Sequence, residues 1–350
     1  MNLSERIKSR AGELGFDLVG IAPAGVAPHA QEYVDWVVSG MMGEMAYMAR
    51  NPDRRSDLDR VLPGARSIVV VGLNYYTIDL PDDLKHDPSR GLIARYAWSV
   101  DYHDVMASRL EELAKDVGEE AQTKVYVDTG PVLERDWALT AGLGFIGKNT
   151  CLIHPRMGSW LFLGVIITDA DLTLTPMPSP RPSPNRGEGV GCGTCTHCLT
   201  ACPTNAFPAP HILDARKCIS YLTIELKGSI PEELRPLMGN RIFGCDICQD
   251  VCPWPTRFAA PTKERVLFPV AVDRAAPKLI DLAQLGEEDF KQRFAGTPLL
   301  RAKRRGLLRN VAVALGNWGS AEAREALEML TRDPDLIIAE HARWGLAQCR

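Results

Sequence analysis

Ten cysteines occur in the 350 residues, and eight of them have a regular spacing. Residues 192–203 read C-x2-C-x2-C-x3-C-P, residues 245–253 read C-x2-C-x3-C-P, and one further cysteine lies between the runs. Two-cluster bacterial ferredoxins have this spacing, and there the last cysteine of each run ligates the other cluster. The rule predicts two 4Fe-4S clusters, one on Cys192, Cys195, Cys198 and Cys252, the other on Cys202, Cys218, Cys245 and Cys248.

Two other uses of these cysteines are possible in principle. A disulfide framework suits short secreted chains, whereas this chain is long and MNLSERIKSR lacks a secretory apolar segment, so we expect a reducing, cytoplasmic location. Structural zinc uses paired C-x2-C units but does not call for the fourth cysteine or the prolines that follow Cys202 and Cys252. The spacing therefore favours clusters. Cys151 and Cys349 fit no pattern.

The overall composition predicts an ordinary globular protein with no membrane span. It is 45% hydrophobic and 24% charged, with a net charge of -4 and no apolar run near the length that a bilayer requires. A weakly acidic chain is not a general polyanion binder, so any nucleic-acid contact needs a local patch. Lys291 to Arg309 contains seven basic and no acidic residues. A solvated helix face is the simpler interpretation of that stretch.

The elements that must position this chemistry follow from apolar periodicity. The pattern predicts a helix over Ser4 to Leu14 and another over Asp101 to Val117. Four short β-rich runs are expected as strands: Leu18 to Ala22, Ser67 to Leu73, Lys124 to Val127, and Trp160 to Thr168. Because strands and helices alternate, we predict an α/β domain over residues 1–171.

The rest of the chain divides by composition. Residues 172–191 are rich in Pro, Ser and Gly and are expected to form a loop. A ferredoxin-like cluster domain is predicted over 192–261 and a connector over 262–298. Residues 299–350 show three short apolar-faced helices, with RNVAVALGNWG and EHARWGLAQ alike at a spacing of about thirty residues. We expect a small HEAT-like helical repeat that docks on its neighbour.

Each cluster passes one electron at a time, so the α/β domain needs a centre that couples them to substrate chemistry. No G-x-G-x-x-G follows a predicted strand, which argues against a dinucleotide-binding unit. The glycine-rich residues 142–149, GLGFIGKN, contain this glycine spacing but do not follow a predicted strand, and they are more simply a helix end and a tight turn.

Several motifs together resemble the epoxyqueuosine reductase family. They are VDTGPVLER at 127–135, AGLGFIGKN at 141–149, ARYAWSVDYHD at 94–104, the two cysteine runs and the helical tail, and they cover nearly the whole chain in order. The resemblance implies a cobalamin-dependent oxidoreductase with two 4Fe-4S clusters and a cob(II)alamin resting state. It also implies the last step of queuosine biosynthesis, reduction of epoxyqueuosine to queuosine at the wobble position of tRNA anticodons.

By this resemblance Asp128 matches the family's catalytic aspartate. It follows a predicted strand, where α/β folds place site residues. A carboxyl buried against a corrin and a sugar ring would have a raised pKa, and could then donate a proton as the oxygen leaves. The alternative is a turn aspartate that binds the Thr129 and Gly130 amides.

The resemblance also implies contacts to the cofactor and to the tRNA. Arg55 matches an arginine that contacts the corrin, and a guanidinium suits its amides and phosphate. Without the match, Arg55 could equally be a surface arginine. Further residues expected to line the cofactor pocket are Tyr102, His103, Asn149, His154, Ser159 and Ser220. No D-x-H-x-x-G occurs, so neither histidine is expected to ligate cobalt. Those expected to bind tRNA are Arg135, Arg301, Lys303, Arg304 and Arg305.

Two rival functions share parts of this plan. A cobalamin reductive dehalogenase also combines a corrin with two clusters, but that class usually carries a twin-arginine signal, which MNLSERIKSR lacks. A ferredoxin-type electron carrier would leave the α/β domain and the tail unexplained. The expected partners are tRNA and an external low-potential electron donor, with no membrane contact, and the protein is expected to be a monomer. The loop at 172–191 is longer, and the tail shorter, than the family pattern suggests.

Overall fold

The computed structural model describes residues 2–118, 121–175, 191–264 and 272–349. Most of the predicted 172–191 loop lies outside these ranges. The strands within the described ranges are β1 Leu18–Pro23, β2 Ser67–Asn74, β3 Leu92–Ile93, β4 Thr123–Tyr126, β5 Phe145–Ile146, β6 Leu152–Ile153, β7 Leu161–Thr168 and β8 Arg241–Phe243.

Helices occur along the whole described chain, and they are the main element of its C-terminal third. Those before the cluster segment are α1 Leu3–Glu13, α2 Ala30–Val38, α3 Ala46–Ala49, α4 Pro52–Ser56, α5 Asp82–Lys85, α6 Tyr102–Lys115 and α7 Glu134–Thr140. Those after it begins are α8 His197–Ala201, α9 Ile219–Ile224, α10 Ile247–Asp250, α11 Pro253–Phe258, α12 Val272–Ala275, α13 Leu279–Ala283, α14 Glu287–Arg293, α15 Lys303–Trp318, α16 Ala321–Leu330 and α17 Leu336–Gln348. In the described ranges no helix is long and apolar enough to cross a bilayer.

The central sheet confirms the four predicted strands. Its order is β1-β2-β7-β4, and every neighbouring pair is antiparallel. The two middle strands, β2 and β7, are apolar nearly throughout because helices cover both faces of the sheet. The alternation of strands and helices along the sequence predicted an α/β domain, but it did not predict that the strands pair antiparallel. Asp128 therefore lies not at the carboxyl edge of a parallel sheet but where β2 and β4 end and β7 begins.

The two faces of the sheet carry different helices. On one face α1 and α6 pack with Val69, Val71 and Ile166. On the other face α7 packs against Val70 and Val165. Both predicted helices, here α1 and α6, are confirmed with ends shifted by one or two residues. The result is a three-layer α/β/α body whose sheet is held from both sides.

Strand pairing, ring contacts and hydrogen bonds attach the cysteine-bearing segment to this body. Strand β3 pairs in parallel with β8, and the β5–β6 hairpin packs through Phe145 on Trp254 with ring centroids 5.2 Å apart. Arg95 is buried between the rings of Trp98 and Trp160, and its amide N–H donates to Asp246 at 2.6 Å. Cation–π and charge-assisted contacts of this kind fix the second cysteine run against the first 100 residues.

The C-terminal helices form one core with the segment before them. Helices α15, α16 and α17 occupy the three predicted helical stretches, and they bury Leu307, Leu327 and Ile338 together. Residues 262–298, expected to be a connector, contain α12, α13 and α14, which pack on the same core. The helices are therefore confirmed, whereas the HEAT-like repeat and the domain boundaries stay predictions.

Two polar residues in the middle of α15 join the C-terminal helices, called the tail, to the cysteine-bearing segment at 192–261. The Arg309 guanidinium donates to the carbonyls of Leu226 at 2.7 Å and Gly228 at 2.8 Å, and also to Leu222. The Asn310 amide donates to two further carbonyls at 2.8 Å each. Burial lowers the pKa of Arg309 to about 10, so it stays charged at neutral pH. Arg309 is thus an internal clamp and not part of an exposed basic patch.

Replacing the clamp should destabilise the protein. Arg309→Met keeps the aliphatic bulk but leaves buried carbonyls without donors, at a cost of about 3 kcal/mol in the free energy of unfolding. Arg305→Met is the matched control, because Arg305 lies on the same helix, is 52% exposed and forms a surface ion pair worth about 0–1 kcal/mol. Chemical denaturation under anaerobic conditions, followed by circular dichroism, measures both. Equal midpoints for the two variants would contradict the clamp.

Candidate active site

Asp128 lies on a constrained loop directly after β4. Its φ of 54° is in the left-handed region, which is strained for a residue with a Cβ. The Tyr102 hydroxyl donates to Asp128 Oδ2, and Arg55 Nη1 donates to the Gly130 carbonyl at 3.1 Å. A Cβ on Gly130 would lie 2.3 Å from the Tyr126 ring, so only glycine fits there. Two side chains therefore hold the loop that presents the carboxyl.

A stack of aromatic rings orients Tyr102. Its ring lies 4.0 Å from Phe162 at an angle of 3°, and 4.1 Å from His103 on the other side. Phe162 in turn stacks on Tyr75 with centroids 4.3 Å apart. His103 is also fixed through its ring Nδ1, 2.7 Å from Asp101 Oδ1. Because the rings are packed in series, the Tyr102 hydroxyl has little freedom to leave Asp128.

The Asp128 side chain itself is exposed in the described chain. The expectation of a buried carboxyl is therefore not met by the protein alone, because the chain covers only one side of the loop. The simple turn interpretation is not supported either. The Thr129 amide donates to the Val127 carbonyl at 2.5 Å, while the carboxylate accepts from Tyr102.

Glu134 is a residue that the sequence reasoning missed. It is the first residue of α7, six residues after Asp128 in the same connection. Its Oε1 atom is buried and has no hydrogen-bond partner within the described residues. Burial raises the pKa of this carboxyl to about 8, and the neighbouring Asp128 adds to the rise. Its place within VDTGPVLER was a signal, but a glutamate at a helix start is so common that nothing singled it out.

Helix α4 contributes donors that lack partners. Arg54 Nε, Arg55 Nε and Ser56 Oγ are buried and unpaired among the residues that the structure describes. Since Arg55 reaches the Asp128 loop, these atoms lie on the segment beside the carboxyl. Unpaired buried donors are costly unless a ligand accepts from them, and corrin amides and phosphate are suitable acceptors. The residues present therefore fit the expected cofactor, although its contact with Arg55 stays a prediction.

Cysteines of the first predicted group lie together. Burial raises the pKa of Cys252 to about 12, and Cys192, Cys195 and Cys198 add to the rise. A thiolate in this setting needs compensating positive charge, which iron supplies. The Lys148 amide donates to Cys192 Sγ at 3.4 Å, and its ammonium donates to the carbonyls of Gly193 at 2.7 Å and Cys195 at 3.0 Å. Lys148, from the glycine-rich residues 142–149, thus clamps the first run.

The second predicted group is also brought together. Burial raises the pKa of Cys245 to about 12, and the nearby Cys218 raises it further. Burial also raises the pKa of Cys218, and Cys202 adds to that rise. The pKa of Cys248 is raised mainly by a hydrogen bond with Cys151. Cys151 is therefore a fifth cysteine at this group, although it fits no spacing pattern.

The arrangement of each group suits a cluster rather than one ion. Within the described ranges no three His, Cys, Asp or Glu side chains converge on a single-ion site. The four thiolates of a cubane bind four separate iron atoms, so they do not need a common point. Ala206 N–H donates to Cys202 Sγ at 3.4 Å, the kind of sulfur hydrogen bond that adjusts cluster potential.

Several residues expected to line the cofactor pocket join the body to the second cysteine group, and their contact with a cofactor stays a prediction. Asn149 Nδ2 donates to the Cys248 carbonyl at 3.2 Å, and Ser159 Oγ donates to Gln249 Oε1 at 2.9 Å. Ser220 turns its backbone N–H toward Cys218. His154 is part of a turn, where its Nδ1 accepts from the Arg156 amide at 3.3 Å. Of the expected lining residues, Tyr102 and His103 lie with Arg55 at the Asp128 loop.

The basic residues of the tail are more paired than the sequence suggested. Arg304 is largely buried and bridges to Asp333 at 2.5 Å, and Arg305 bridges to Asp335 at 2.9 Å. Lys303 is exposed at the start of α15. The stretch looked free of acids because its partners lie about thirty residues later in the chain.

Arg301 belongs to the neighbourhood of the Asp128 loop. Its guanidinium bridges to Glu225 at 2.7 Å and lies 3.5 Å from the Tyr47 hydroxyl. Its charge also opposes the rise that burial causes in the pKa of Tyr96, a half-buried residue whose ring packs edge-on against Tyr102. Arg135, the remaining expected tRNA contact, is exposed and donates to the Thr150 carbonyl at 2.5 Å. The structure thus brings one tail arginine to the rim of the site.

Comparison with known proteins identifies the relatives of this chain. The family model described as 4Fe-4S double cluster binding domain matches residues 191–255, and the one described as epoxyqueuosine reductase QueG matches residues 55–129. The epoxyqueuosine reductase of Xanthomonas campestris is 42% identical over 98% of this chain and 95% of that protein. The Escherichia coli K12 enzyme of the same name is 39% identical over 99% of this chain and 89% of that protein.

Solved structures agree with the sequence matches. A crystal structure of epoxyqueuosine reductase with an epoxyqueuosine-modified tRNA-Tyr stem loop superposes with a TM-score of 0.88, at 30% identity, over 99% of this chain and 90% of that chain. A Bacillus subtilis epoxyqueuosine reductase, with its catalytic aspartate loop swung out of the active site, gives 0.86 at 29% identity over the same shares. With full-length identity near 40% to named relatives, this chain belongs to the epoxyqueuosine reductase family.

Proposed function

We propose that this protein reduces epoxyqueuosine to queuosine at the wobble position of tRNA anticodons. The observation that carries the proposal is a convergence at one end of the central sheet. There the Asp128 loop follows β4, and the start of β7 contacts the second cysteine group through Ser159 and Gln249. The Asp128 carboxyl, which would donate a proton, and the second cysteine group, which would carry electrons, therefore lie at the same end of the sheet. Removal of an epoxide oxygen requires both protons and electrons. Membership of the family supports the same reaction.

In this proposal Asp128 is the general acid. Tyr102 holds one carboxyl oxygen, so the other is free to face the substrate oxygen. The bound nucleoside and cofactor would cover the exposed side of the loop and exclude water, which favours the protonated form of the carboxyl. Arg55 fixes the loop backbone through Gly130.

Bound cobalamin would supply a low-potential reducing centre for the epoxide, one that can be loaded with electrons one at a time. The unpaired donors of Arg54, Arg55 and Ser56 would hold its amides or phosphate. The group of Cys202, Cys218, Cys245 and Cys248 would hold the cluster nearer the corrin, and the group of Cys192, Cys195, Cys198 and Cys252 the outer cluster. An external low-potential electron donor would load the outer cluster.

The tRNA would approach from the side of Arg301. An anticodon loop must splay the wobble base into the site while its phosphates stay outside. Arg301 lies at the rim, and Lys303 and Arg305 are exposed beside it on the same stretch. Arg135 is exposed on the Asp128 side. Arg304 is a weaker candidate than the sequence suggested, because its side chain is largely buried as well as paired with Asp333. A monomer provides all these groups.

Asp128→Asn should nearly abolish the reaction. The amide keeps the size of the side chain but cannot donate an acidic proton, so single-turnover loss of epoxyqueuosine should slow by about 10²–10⁴-fold. The assay uses anaerobic, reduced holoenzyme and nucleoside analysis by mass spectrometry, while the cobalamin absorbance should be unchanged. Asp104→Asn, at an exposed position on α6, is the matched control. A variant at Asp128 that reacts at the normal rate would rule out the acid role.

Removing the exposed rim charges should weaken tRNA binding. The triple variant Arg301→Ala, Lys303→Ala, Arg305→Ala should lower affinity for an anticodon stem loop and reduce the slope of log affinity against log salt by about 0.7–0.9 for each phosphate that is no longer neutralised. Fluorescence anisotropy over a salt series measures both. Arg6→Ala, an exposed arginine on α1, should leave them unchanged. An unaltered salt slope in the triple variant would contradict this surface.

A further inference from the structure

The reaction proposed above needs two protons, and Asp128 carries one. Conversion of an epoxide to an alkene breaks two C–O bonds, forms the second bond of the C=C pair, and releases the oxygen as water. Two electrons come from the clusters by way of the cofactor, and both protons end on the oxygen. A second proton must therefore reach the site during each turnover. This inference rests on the proposed function.

Glu134 is suitably placed to supply it. The residue follows Asp128 in the same short connection between β4 and α7, and the charge of Asp128 is the largest charge effect on it. Its Oε1 has no protein partner within the described residues, although the atom is buried. A buried ionised carboxylate with one oxygen unpaired is unfavourable, whereas a neutral carboxylic acid tolerates the position.

The groups around Glu134 explain why it keeps its proton. Burial is the main cause of its raised pKa, near 8, and Asp128 acts in the same direction. Arg55 on α4 and Arg135 on α7 oppose the shift, as does the hydrogen bond from its own amide N–H. Arg55 is already engaged by the Gly130 carbonyl and Arg135 by Thr150, so neither pairs with the carboxyl. Below about pH 8 the acid form predominates.

We infer that Glu134 is the second proton-carrying carboxyl of the site and that it reprotonates Asp128 within a turnover. After Asp128 gives its proton to the opened epoxide oxygen, the new carboxylate beside neutral Glu134 accepts a proton from it, directly or through one water. Asp128 then donates again as the hydroxyl leaves as water. Bulk solvent returns the proton to Glu134 after the product departs. Glu134 thus acts through Asp128.

The test compares Glu134→Gln with the natural protein in single-turnover reactions of reduced holoenzyme across a pH series. In the natural protein the rate should fall about tenfold for each pH unit above about 8, because the neutral carboxyl is lost there. Glu134→Gln should lower the plateau by about 10–100-fold and remove this alkaline limb. Glu134→Asp, which retains a titratable group, should recover part of the rate together with a limb.

An independent measurement does not depend on turnover. Infrared difference spectra of the holoenzyme between about pH 7 and about pH 9.5, on either side of the raised pKa, should show the carbonyl stretch of a protonated carboxylic acid that disappears at high pH, and Glu134→Gln should lack this change. A rate that falls while the alkaline limb persists would mean a purely structural role and would overturn the inference. So would an unchanged rate, or the absence of the band. If the natural protein does not reduce epoxyqueuosine, it is the proposed function that fails, and the infrared result still reports whether Glu134 is protonated.

Discussion

The pairing of β7 with both of its neighbours is the interaction on which the site depends. Strand β7 lies between β2 and β4, so its backbone hydrogen bonds set the positions of both strand ends. Phe162, near its start, supports the Tyr102 ring, and Ser159 just before it contacts the second cysteine run. A shift of one residue in this register would turn Phe162 to the other face and separate Tyr102 from its support. The side chains of β7 pack into different clusters on the two faces of the sheet, and this packing opposes the shift.

The backbone of the Asp128 loop is slightly strained at Asp128, where φ is 54°. A left-handed conformation at a residue other than glycine costs roughly 1–2 kcal/mol and persists only where neighbours hold it. Here the Tyr102 hydroxyl and the Arg55 guanidinium are those neighbours. A loop held by two hydrogen bonds can release when either is broken.

Most arginines of residues 301–309 make contacts within the protein that stabilise the fold. Arg309 binds backbone carbonyls of the cluster segment, Arg304 pairs with Asp333, and Arg301 pairs with Glu225. These contacts connect helices that are distant in sequence, and they tie the tail to α9 and to the rim of the site. These ion pairs and hydrogen bonds add to the apolar core in holding the tail, and the outward-facing charges remain for a polyanionic partner.

The sequence by itself determined the chemistry that depends on spacing and local pattern. Regular cysteine intervals predicted two cluster groups, since ligands on one short run must lie close together whatever the fold, and apolar periodicity predicted the strands of the sheet and the helices α1 and α6. Only the tertiary structure decided what pairs at long range. The antiparallel order of the sheet, the approach of Cys151 to Cys248, and the acid partners of the tail arginines all join segments far apart in the chain. Burial decided the rest, because whether a carboxyl such as Glu134 holds its proton depends on neighbours that no local motif specifies.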